Sequence, residues 1–280
     1  MVDIIIPNQI KELPINKIIH GDHLEALSKF PDNCIDLVVT SPPYDDIRTY
    51  KGYTFNFKKL AKELFRVMKD GSIVVWVVND RYVNNDRTGT SFKQALIFRA
   101  IGFKLLDIMI YVKDPKYFVS NRYTNVFEFM LILLKGEKPK TFNPIKRINR
   151  NWRPISQVTH RYSDGKIIKK KYNPSKEVKI TNIWYYSSGY MKTTKDKEAY
   201  KHPAIFPDKL AEDHIISWSN EGDVVLDPMA GSFCTCKIAV KKNRRFIGID
   251  IAKEYCELGK RLIELYEKRK KMELFKNVKE

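Results

Sequence analysis

Cysteine is scarce in this sequence, with four residues in a chain of 280. Cys34, Cys234, Cys236 and Cys256 are too few and too unevenly spaced to form a disulfide framework in a chain of this length. Cys234 and Cys236 are also one residue closer together than the pair of a C-x-x-C zinc knuckle, and no second Cys or His pair accompanies them. We therefore expect small buried thiols in a reducing cytoplasm, and no bound metal.

Long hydrophobic runs are absent as well. The two longest purely apolar stretches, residues 73–78 and 129–134, have six residues each, whereas a membrane-spanning helix needs ~20. The N-terminus begins without a basic cluster, and Pro7 interrupts its short apolar run, which argues against a signal peptide. We expect neither a membrane segment nor a secretory leader.

Acidic residues are in the minority. The chain has 33 Asp and Glu against 51 Lys and Arg, which leaves a net charge of +18. A single-sign excess of this kind favours an anionic polymer as partner, and nucleic acid is the first candidate. A Lys-rich surface can also reflect genome base composition or solubility, so the charge alone leaves this alternative open.

The positive charge is concentrated in residues 136–182, where aliphatic residues are few and thirteen Lys and Arg face Glu137, Asp164 and Glu177. Aromatic residues are interleaved with the basic ones, which suits base stacking or a small folded lobe better than a flexible linker. We predict a basic nucleic-acid-binding lobe here. The predicted DNA contacts, including one outside the lobe, are Arg48, Lys146, Arg147, Arg150, Arg153, Lys169, Lys170 and Lys171.

The rest of the chain alternates short Ile- and Val-rich runs with segments of helical spacing, as in an α/β layer structure. Helices are predicted near residues 23–30, 57–69, 91–100, 207–218, 235–241 and 252–271, with a frayed tail after the last. Seven strands are predicted in the runs KIIHGD, CIDLVVT, SIVVWVV, LLDIMIYVK, VFEFMLILLK, DVVLDP and RFIGIDI. Residues 1–135 and 183–280 would then form two parts of one core, interrupted by the basic lobe.

A cofactor loop is indicated by the sequence DVVLDPMAGSFC at residues 223–234. Here a hydrophobic strand runs into Asp227 and a turn of small residues that contains Gly231, and ligands of open α/β sheets bind beyond the carboxyl ends of such strands. Asp250 ends the next strand, where a carboxylate can accept hydrogen bonds from both hydroxyls of a ribose. Because no G-x-G-x-x-G fingerprint is present, a nucleoside cofactor without phosphate fits better than a dinucleotide.

A second constellation is LVVTSPPY at residues 37–44, a buried strand that ends in Ser41, Pro42, Pro43 and Tyr44. Consecutive prolines stiffen the chain and leave carbonyl oxygens free to accept hydrogen bonds. The amino group of a flipped cytosine or adenine could donate to the Ser41 hydroxyl and to a proline carbonyl while Tyr44 stacks on the ring. These bonds would aim the nitrogen lone pair at a sulfonium methyl group, so we assign catalysis to these four residues.

Taken together, these motifs resemble the amino-group DNA methyltransferases of the permuted arrangement often called the beta class. In that family the catalytic motif, here TSPPY, precedes the target-recognition region, and the S-adenosylmethionine loop, here DPMAGS, comes last. Three further segments match in the same order, namely GDHLEAL at 21–27, KHPAIFPDKLAEDHI at 201–215 and FIGIDI at 246–251. The resemblance covers nearly the whole chain. One departure is Phe233, which stands where the family usually has a second glycine and could alter cofactor affinity or pack under the loop.

The resemblance implies a Rossmann-like, seven-stranded mixed sheet with a small target-recognition lobe, S-adenosylmethionine as cofactor, and double-stranded DNA as partner. It also implies a prokaryotic or phage-encoded protein, and leaves a cognate restriction endonuclease and a homodimer open. Asp22 would meet the cofactor adenine, and the His-Pro-Ala segment would line its methionine end. The implied cofactor-binding residues are Asp22, Thr40, His202, Pro203, Ala204, Phe206, Asp227, Pro228, Met229, Ala230, Gly231, Ser232, Asp250 and Ile251.

The residue before Pro-Pro-Tyr bears on the target base. Ser41 is commoner in family members that modify N4 of cytosine, whereas Asp or Asn there is commoner for N6 of adenine. No Pro-Cys dipeptide occurs, so carbon-5 methylation through a thiolate has no obvious nucleophile. We therefore predict cytosine-N4 methylation. Adenine-N6 methylation, action on RNA, and a catalytically silent nucleic-acid-binding protein, suggested by Phe233, are the alternatives.

Overall fold

The computed structural model describes residues 2–43, 55–115, 118–150, 156–172, 175–202, 205 and 207–277. Six of the predicted site residues lie outside this set, namely Tyr44, Arg48, Arg153, Pro203, Ala204 and Phe206. The chain forms two compact units. The larger comprises residues 1–143 and 182–280, and the smaller comprises residues 144–181.

Strands and helices alternate in the first and last parts of the chain, as the sequence predicts, whereas β7 to β13 follow one another without an intervening α-helix. The strands are β1 Ile4–Ile5, β2 Lys17–His20, β3 Ile35–Thr40, β4 Met68–Val78, β5 Tyr82–Val83, β6 Asp86–Arg87, β7 Lys104–Lys113, β8 Phe127–Leu134, β9 Lys146–Ile148, β10 Ser156–Arg161, β11 Ile167–Tyr172, β12 Glu177–Lys179, β13 Ile183–Tyr186, β14 Val224–Asp227 and β15 Arg245–Asp250. The helices are α1 His23–Leu27, α2 Phe57–Val67, α3 Thr90–Ile101, α4 Asp208–Trp218, α5 Cys234–Lys241 and α6 Lys253–Asn277.

Within the described residues, nine strands form the main sheet in the order β1-β2-β15-β14-β3-β4-β8-β7-β13. The sheet is mixed because β8 runs antiparallel to both of its neighbours, β4 and β7, while every other pair is parallel. All seven predicted strands are present, so the mixed α/β fold is confirmed. The predicted number of seven is wrong, because β1 and β13 add one strand at each edge. Both are short, with two and four residues, and neither carries a long apolar run.

The central strands are buried on both faces, as parallel strands covered by helices must be. All six residues of β3 are buried, and so are all four of β14. On one face α2 contributes Leu60, Ala61 and Leu64, whose spacing places them on one side of the helix. Trp76 of β4 lies among aromatic rings of this layer, with Phe98 of α3 at a centroid distance of 5.2 Å.

Three predicted helix boundaries are wrong. Helix α1 ends at Leu27 rather than at residue 30. Helix α2 ends at Val67, where the chain turns directly into β4, rather than at residue 69. Helix α6 continues to Asn277, so the predicted frayed tail after residue 271 is helical for a further turn and a half. No helix among the described residues is long and apolar enough to cross a membrane.

The centre of the sheet contains a topological switch point. From β3 the chain passes through α2 to β4 on one side, and from β14 it passes through α5 to β15 on the other. Since β3 and β14 are parallel neighbours, the two connections leave a crevice at their carboxyl ends. Ligands of open α/β sheets bind in such crevices. The fold therefore places the TSPP and DPMAGS segments at the same point.

The smaller unit consists of two antiparallel strand pairs, β9 with β12 and β10 with β11. The hairpin of β10 and β11 turns at Gly165, which has a φ of +83°. Hairpins with three-residue loops usually place a glycine in this left-handed conformation. Asp164 stabilises the turn by accepting a hydrogen bond from the Lys166 amide at 2.9 Å. Eleven Lys and Arg against two acidic residues give residues 144–181 half of the net charge of the chain.

Candidate active site

Asp227 closes strand β14 at the centre of the crevice. Its side chain is 5% exposed, and one carboxylate oxygen, Oδ1, accepts hydrogen bonds from the Thr40 hydroxyl at 2.8 Å and from the Met229 amide at 3.2 Å. Burial raises the pKa of Asp227 to about 6, although the hydrogen bond from Thr40 opposes the shift. Asp227 therefore anchors the turn that follows it.

Thr40 and Asp227 join two segments that are 187 residues apart in sequence. Thr40 is the last residue of β3, so Ser41 and Pro42 begin where this hydrogen bond ends. A second hydrogen bond joins β3 to the helix that follows the loop, because the Thr235 hydroxyl of α5 donates to the Val39 carbonyl at 3.1 Å. Pro42 is buried, while Ser41 and Pro43 are half-buried. The structure thus brings the predicted catalytic segment beside the predicted cofactor loop.

Asp250 shapes the other side of the loop. Its carboxylate accepts a hydrogen bond from the Gly231 amide at 2.8 Å and one from the Ala252 amide at 2.8 Å. Burial raises the pKa of Asp250 above its ordinary value, and the two amide donors work against that shift. Each oxygen accepts a single hydrogen bond from these amides, and a carboxylate oxygen has two lone pairs. The carboxylate can therefore accept further hydrogen bonds, such as those from ribose hydroxyls.

Asp22 lies at the end of the neighbouring strand, β2. In the ladder His20 is the partner of Asp250, and the Gly21 amide donates to the Asp250 carbonyl at 3.0 Å. The Asp22 carboxylate caps α1 by accepting hydrogen bonds from the Leu24 and Glu25 amides at 2.8 and 3.0 Å. The capping role locates this carboxylate at the same edge of the sheet as Asp250.

His202 approaches the loop from a distant part of the sequence. Gly231 has a φ of +51°, and a Cβ at this position would lie 2.8 Å from His202 Nε2, so only glycine fits there. The imidazole also packs edge-on against Tyr255 of α6 at a centroid distance of 4.4 Å. The described part of the predicted His-Pro-Ala segment therefore adjoins the predicted cofactor loop.

Phe233 packs beneath the loop, with its side chain fully buried. The residue has a φ of +57°, in the left-handed region that usually favours glycine. Its ring fills a slot between Gly248 of β15 and Gly259 of α6, where a Cβ on either glycine would clash with the ring. Of the two effects considered for Phe233, packing under the loop is the one the structure shows.

The remaining residues of the predicted loop are largely buried. Pro228, Ala230 and Ser232 are buried, whereas Met229 and Ile251 are half-buried.

Burial also raises the pKa of the Cys234 and Cys236 thiols well above their ordinary value, so neither thiol is prepared to act as a nucleophile.

The predicted DNA contacts of the smaller unit are all on its surface where the structure describes them. The exposed residues are Lys146, Arg147, Arg150, Lys169, Lys170 and Lys171. Lys146 lies 3.6 Å from Glu177, an ion pair across the β9–β12 ladder. The lysines of β11 alternate between the two faces of the hairpin, with Lys169 and Lys171 on one face and Lys170 on the other.

Sequence reasoning missed Lys237, Asp196 and Asp208, which form an ionic cluster next to the site. The lysine side chain is 2% exposed and the two aspartates are half-buried. The available signal was a lysine inside the otherwise apolar start of α5, CTCKIAV, at a position that the helix buries. A charged residue in such a run is rarely buried without partners.

A mixed sheet of this topology, with a glycine turn at its switch point and a buried aspartate at the end of the next strand, defines a class of α/β proteins that bind nucleoside cofactors. The comparisons with known proteins narrow the class. A family model described as DNA methylase, of the N6/N4 methyltransferase type, matches residues 35–261. The chain therefore belongs to this family of DNA amino-methyltransferases.

Individual relatives agree with this assignment. The chain is 50% identical over 241 residues to the orphan methyltransferase M.BamHII of Bacillus amyloliquefaciens, an alignment that covers 84% of this chain and 91% of that protein. It is 28% identical to the DNA adenine methyltransferase YhdJ of Escherichia coli, with 89% and 82% covered.

Solved structures share the fold. The cytosine-N4-specific PvuII DNA methyltransferase superposes with a TM-score of 0.65 at 19% identity, covering 90% of this chain and 91% of that one. The protein TTHA0409 of Thermus thermophilus, solved in complex with S-adenosylmethionine, gives 0.61 at 25% identity, with 89% and 93% covered. The cofactor of the family is S-adenosylmethionine, and the tight Gly231 turn and the Asp250 acceptors fit a nucleoside without phosphate.

Proposed function

We propose that the chain transfers a methyl group from S-adenosylmethionine to the exocyclic N4 of a cytosine flipped out of duplex DNA. The observation that carries this proposal is the 2.8 Å hydrogen bond between Thr40 and Asp227, which joins the end of β3 to the end of β14. It supports a site where an acceptor of amino hydrogens, Ser41, adjoins the loop assigned to the cofactor. When bound, the cofactor supplies an electrophilic methyl group.

The protein's own part in the reaction is to hold and orient the base. The Ser41 hydroxyl oxygen and a carbonyl of Pro42 or Pro43 would each accept one hydrogen of the target amino group. Two such bonds draw the nitrogen lone pair out of conjugation with the ring and fix its direction. Tyr44, which lies outside the described residues, would stack on the base. No side chain needs to form a covalent bond to the base.

The choice of cytosine over adenine rests on Ser41 and on the family tendency at this position. Relatives of both kinds are found, since YhdJ is an adenine methyltransferase and the PvuII enzyme is specific for cytosine N4. Adenine-N6 methylation is therefore the second candidate. The acceptor arrangement proposed for Ser41 would serve either amino group, so the product has to be identified chemically.

A catalytically silent protein is the remaining rival, because Phe233 replaces the usual glycine of the loop. The ring occupies a slot below the loop, and its backbone takes the left-handed conformation that a glycine would take. This packing supports a loop that keeps its shape despite the larger residue. It favours an active enzyme over a silent one.

The first experiment is to incubate the protein with mixed-sequence duplex DNA and methyl-labelled S-adenosylmethionine, then digest the DNA to nucleosides and identify the labelled product by mass spectrometry. N4-methylcytosine is the expected product. N6-methyladenine would retain the mechanism and replace the base. No labelled nucleoside, together with no binding of the cofactor, would favour the silent protein. Matched single-stranded DNA and RNA substrates would show which of these nucleic acids the protein methylates.

The biological setting we propose is DNA protection. M.BglII of Bacillus subtilis and M.BamHI of Bacillus amyloliquefaciens are Type II methyltransferases, whereas M.BamHII is an orphan methyltransferase. A cognate endonuclease and a homodimer stay proposals for this chain. Restriction digestion of DNA from cells that express the chain would reveal which sites it protects.

A further inference from the structure

Lys237 is one of the largest fully buried side chains in the protein, although it carries a charge. It lies on the first turn of α5, directly behind the loop of residues 227–233. Its ammonium group lies 2.6 Å from Asp196 Oδ2 and 2.8 Å from both carboxylate oxygens of Asp208. Burying an ion is costly unless its partners are well placed, and an apolar residue of similar size is often as stable. Stability alone therefore gives little reason for a lysine here.

Both carboxylates belong to one segment, which we term the strap and which comprises the described residues 193–202, 205, 207 and 208. The strap is bonded to itself at several points. The Thr194 hydroxyl donates to Asp208 at 2.8 Å, and the Asp208 amide donates to the Thr193 carbonyl at 3.1 Å. The Tyr200 hydroxyl donates to the Thr194 carbonyl at 3.1 Å. Lys237 joins this self-bonded segment to α5.

The strap meets the predicted cofactor loop at its other end. His202, a strap residue, lies against Gly231, where a Cβ would come within 2.8 Å of its imidazole. Helix α5 starts directly after the loop, and the Cys234 thiol at its first position donates to Asp208 Oδ1 at 3.0 Å. The strap therefore adjoins the loop at His202, and it is joined to the start of α5 by the Lys237 ion pairs and by the Cys234–Asp208 hydrogen bond.

We propose that Lys237 is a positioning residue for the S-adenosylmethionine site, holding the strap so that His202 stays beside Gly231. This inference rests on the proposed function, in that the loop of residues 227–232 and the strap are taken to bind the cofactor. Lys237 touches neither the cofactor nor DNA. It acts through the strap, so its removal affects cofactor affinity before it affects chemistry.

The test replaces Lys237 by methionine, which has a similar length and no charge. Without Lys237, Asp196 would keep only the more distant, exposed Arg269 at 4.0 Å, and Asp208 would lose the ion pair that joins it to α5. The two carboxylates would then repel each other and displace the strap, so we expect the Kd for S-adenosylmethionine to rise ~10-fold or more by isothermal titration calorimetry. The kcat at saturating cofactor is expected to stay within about twofold of wild type, because saturation compensates for the weaker cofactor binding. The Kd for duplex DNA is expected to stay within the same range, because the predicted DNA contacts lie outside the strap. Lys237→Arg keeps the charge and is expected to recover most of the affinity.

Lys241→Met is the matched control. Lys241 lies one turn further along α5, 3.5 Å from Glu212 and beside the Tyr266 ring, and both of these partners lie outside the strap. Its replacement is expected to leave the cofactor Kd unchanged. A merely structural role for Lys237 would lower the melting temperature of the Lys237→Met variant without changing the Kd of the folded protein. That result, or equal affinities of the two variants, would overturn the inference.

A second variant keeps the test decisive if Lys237→Met does not fold. Asp196→Asn removes one strap partner and leaves the Lys237–Asp208 pair, so we expect a smaller loss of cofactor affinity in the same direction. An unchanged Kd would contradict the inference. Because binding is measured without DNA, a wild-type protein that binds the cofactor but methylates no base would refute the proposed function alone. A wild-type protein that does not bind the cofactor would overturn both.

Discussion

Two regions differ in almost every physical respect. One is the crevice where β3 and β14 end, which we call the cofactor corner and which comprises residues 40–43, 227–233 and 250. The other is the basic unit of residues 144–181. In the corner, polar groups are buried and bonded to defined partners, as in the hydrogen bond from Thr40 to Asp227. In the basic unit the described cations are exposed, and two short strand pairs provide little core. The corner therefore depends on exact hydrogen-bond geometry, whereas the basic unit depends on its positive charge. A substitution in the corner should change the placement of reacting groups, and one in the basic unit should change DNA affinity in a salt-dependent way.

The largest effect is expected for Ser41→Ala in the corner. Loss of one acceptor of the amino hydrogens should lower the rate of methyl transfer by ~10²–10³, as for removal of one positioned hydrogen-bonding group in other enzymes. DNA affinity should change little. Ser28→Ala, at an exposed serine at the end of α1, is the control. Equal single-turnover rates for the two variants would remove Ser41 from the mechanism.

Phe233→Ala tests whether the corner depends on its packing. The fully buried ring fills the slot between Gly248 and Gly259, so truncation should lower the free energy of unfolding by ~3–5 kcal/mol, as for other buried phenylalanines. Phe118→Ala removes a ring that is 87% exposed, and this control should change the free energy of unfolding by no more than about 0.5 kcal/mol. Urea unfolding followed by tryptophan fluorescence measures both. A small effect at Phe233 would mean that the slot closes when the ring is lost.

In the basic unit, the two faces of the hairpin sharpen the comparison. Lys169 and Lys171 share one face, and Lys170 shares the other with Ile168, which is half-buried. A two-stranded ribbon fits the major groove, and we expect the first face to meet DNA. Lys169→Gln and Lys171→Gln should each weaken DNA binding and reduce the salt slope, which is the slope of log binding constant against log salt concentration, by ~1. Lys170→Gln should have a smaller effect on both quantities. Charge reversal at all three should weaken binding most.

Titration of DNA affinity at several salt concentrations distinguishes these variants. If all three single substitutions had the same effect, the lysines would act as a diffuse field, and the ribbon would have no preferred face. An unchanged salt slope after charge reversal at all three would place the DNA elsewhere on the protein.

The smallest effect is a pH dependence of the corner. Burial raises the pKa of Asp227 to about 6 from an ordinary value of 3.8, so the folded state holds its proton more tightly than the unfolded state. The stabilisation that this proton provides is complete below pH ~4 and is lost as the pH rises through about 6. Asp227→Asn lacks this contribution. The melting temperature of wild type relative to Asp227→Asn should therefore fall between pH ~4 and ~7, and a constant difference would contradict the assigned pKa.

Much of the fold was predictable because its signals are local. Seven strands and the helices between them follow from apolar runs and helical spacing, and Asp227, Asp250 and Ser41 were identified because they follow such runs directly. The edge strands β1 and β13 are not predicted from the sequence. Both are short, and they are strands because each is hydrogen-bonded to a neighbouring strand, which their own residues do not reveal. The prediction ends α6 at residue 271 because the residues that follow, MELFKN, carry little amphipathic pattern.

The sequence by itself determined which residues end the central strands, where the positive charge is concentrated, and which family the chain resembles. Only the tertiary structure decided that β3 and β14 are neighbours, that Phe233 fits between two glycines, and that Lys237 is paired with two carboxylates. The reason is the range of the interactions. Strand and helix preferences act over a few residues, whereas the partners of Lys237 lie 29 and 41 residues away, and those of Asp227 up to 187.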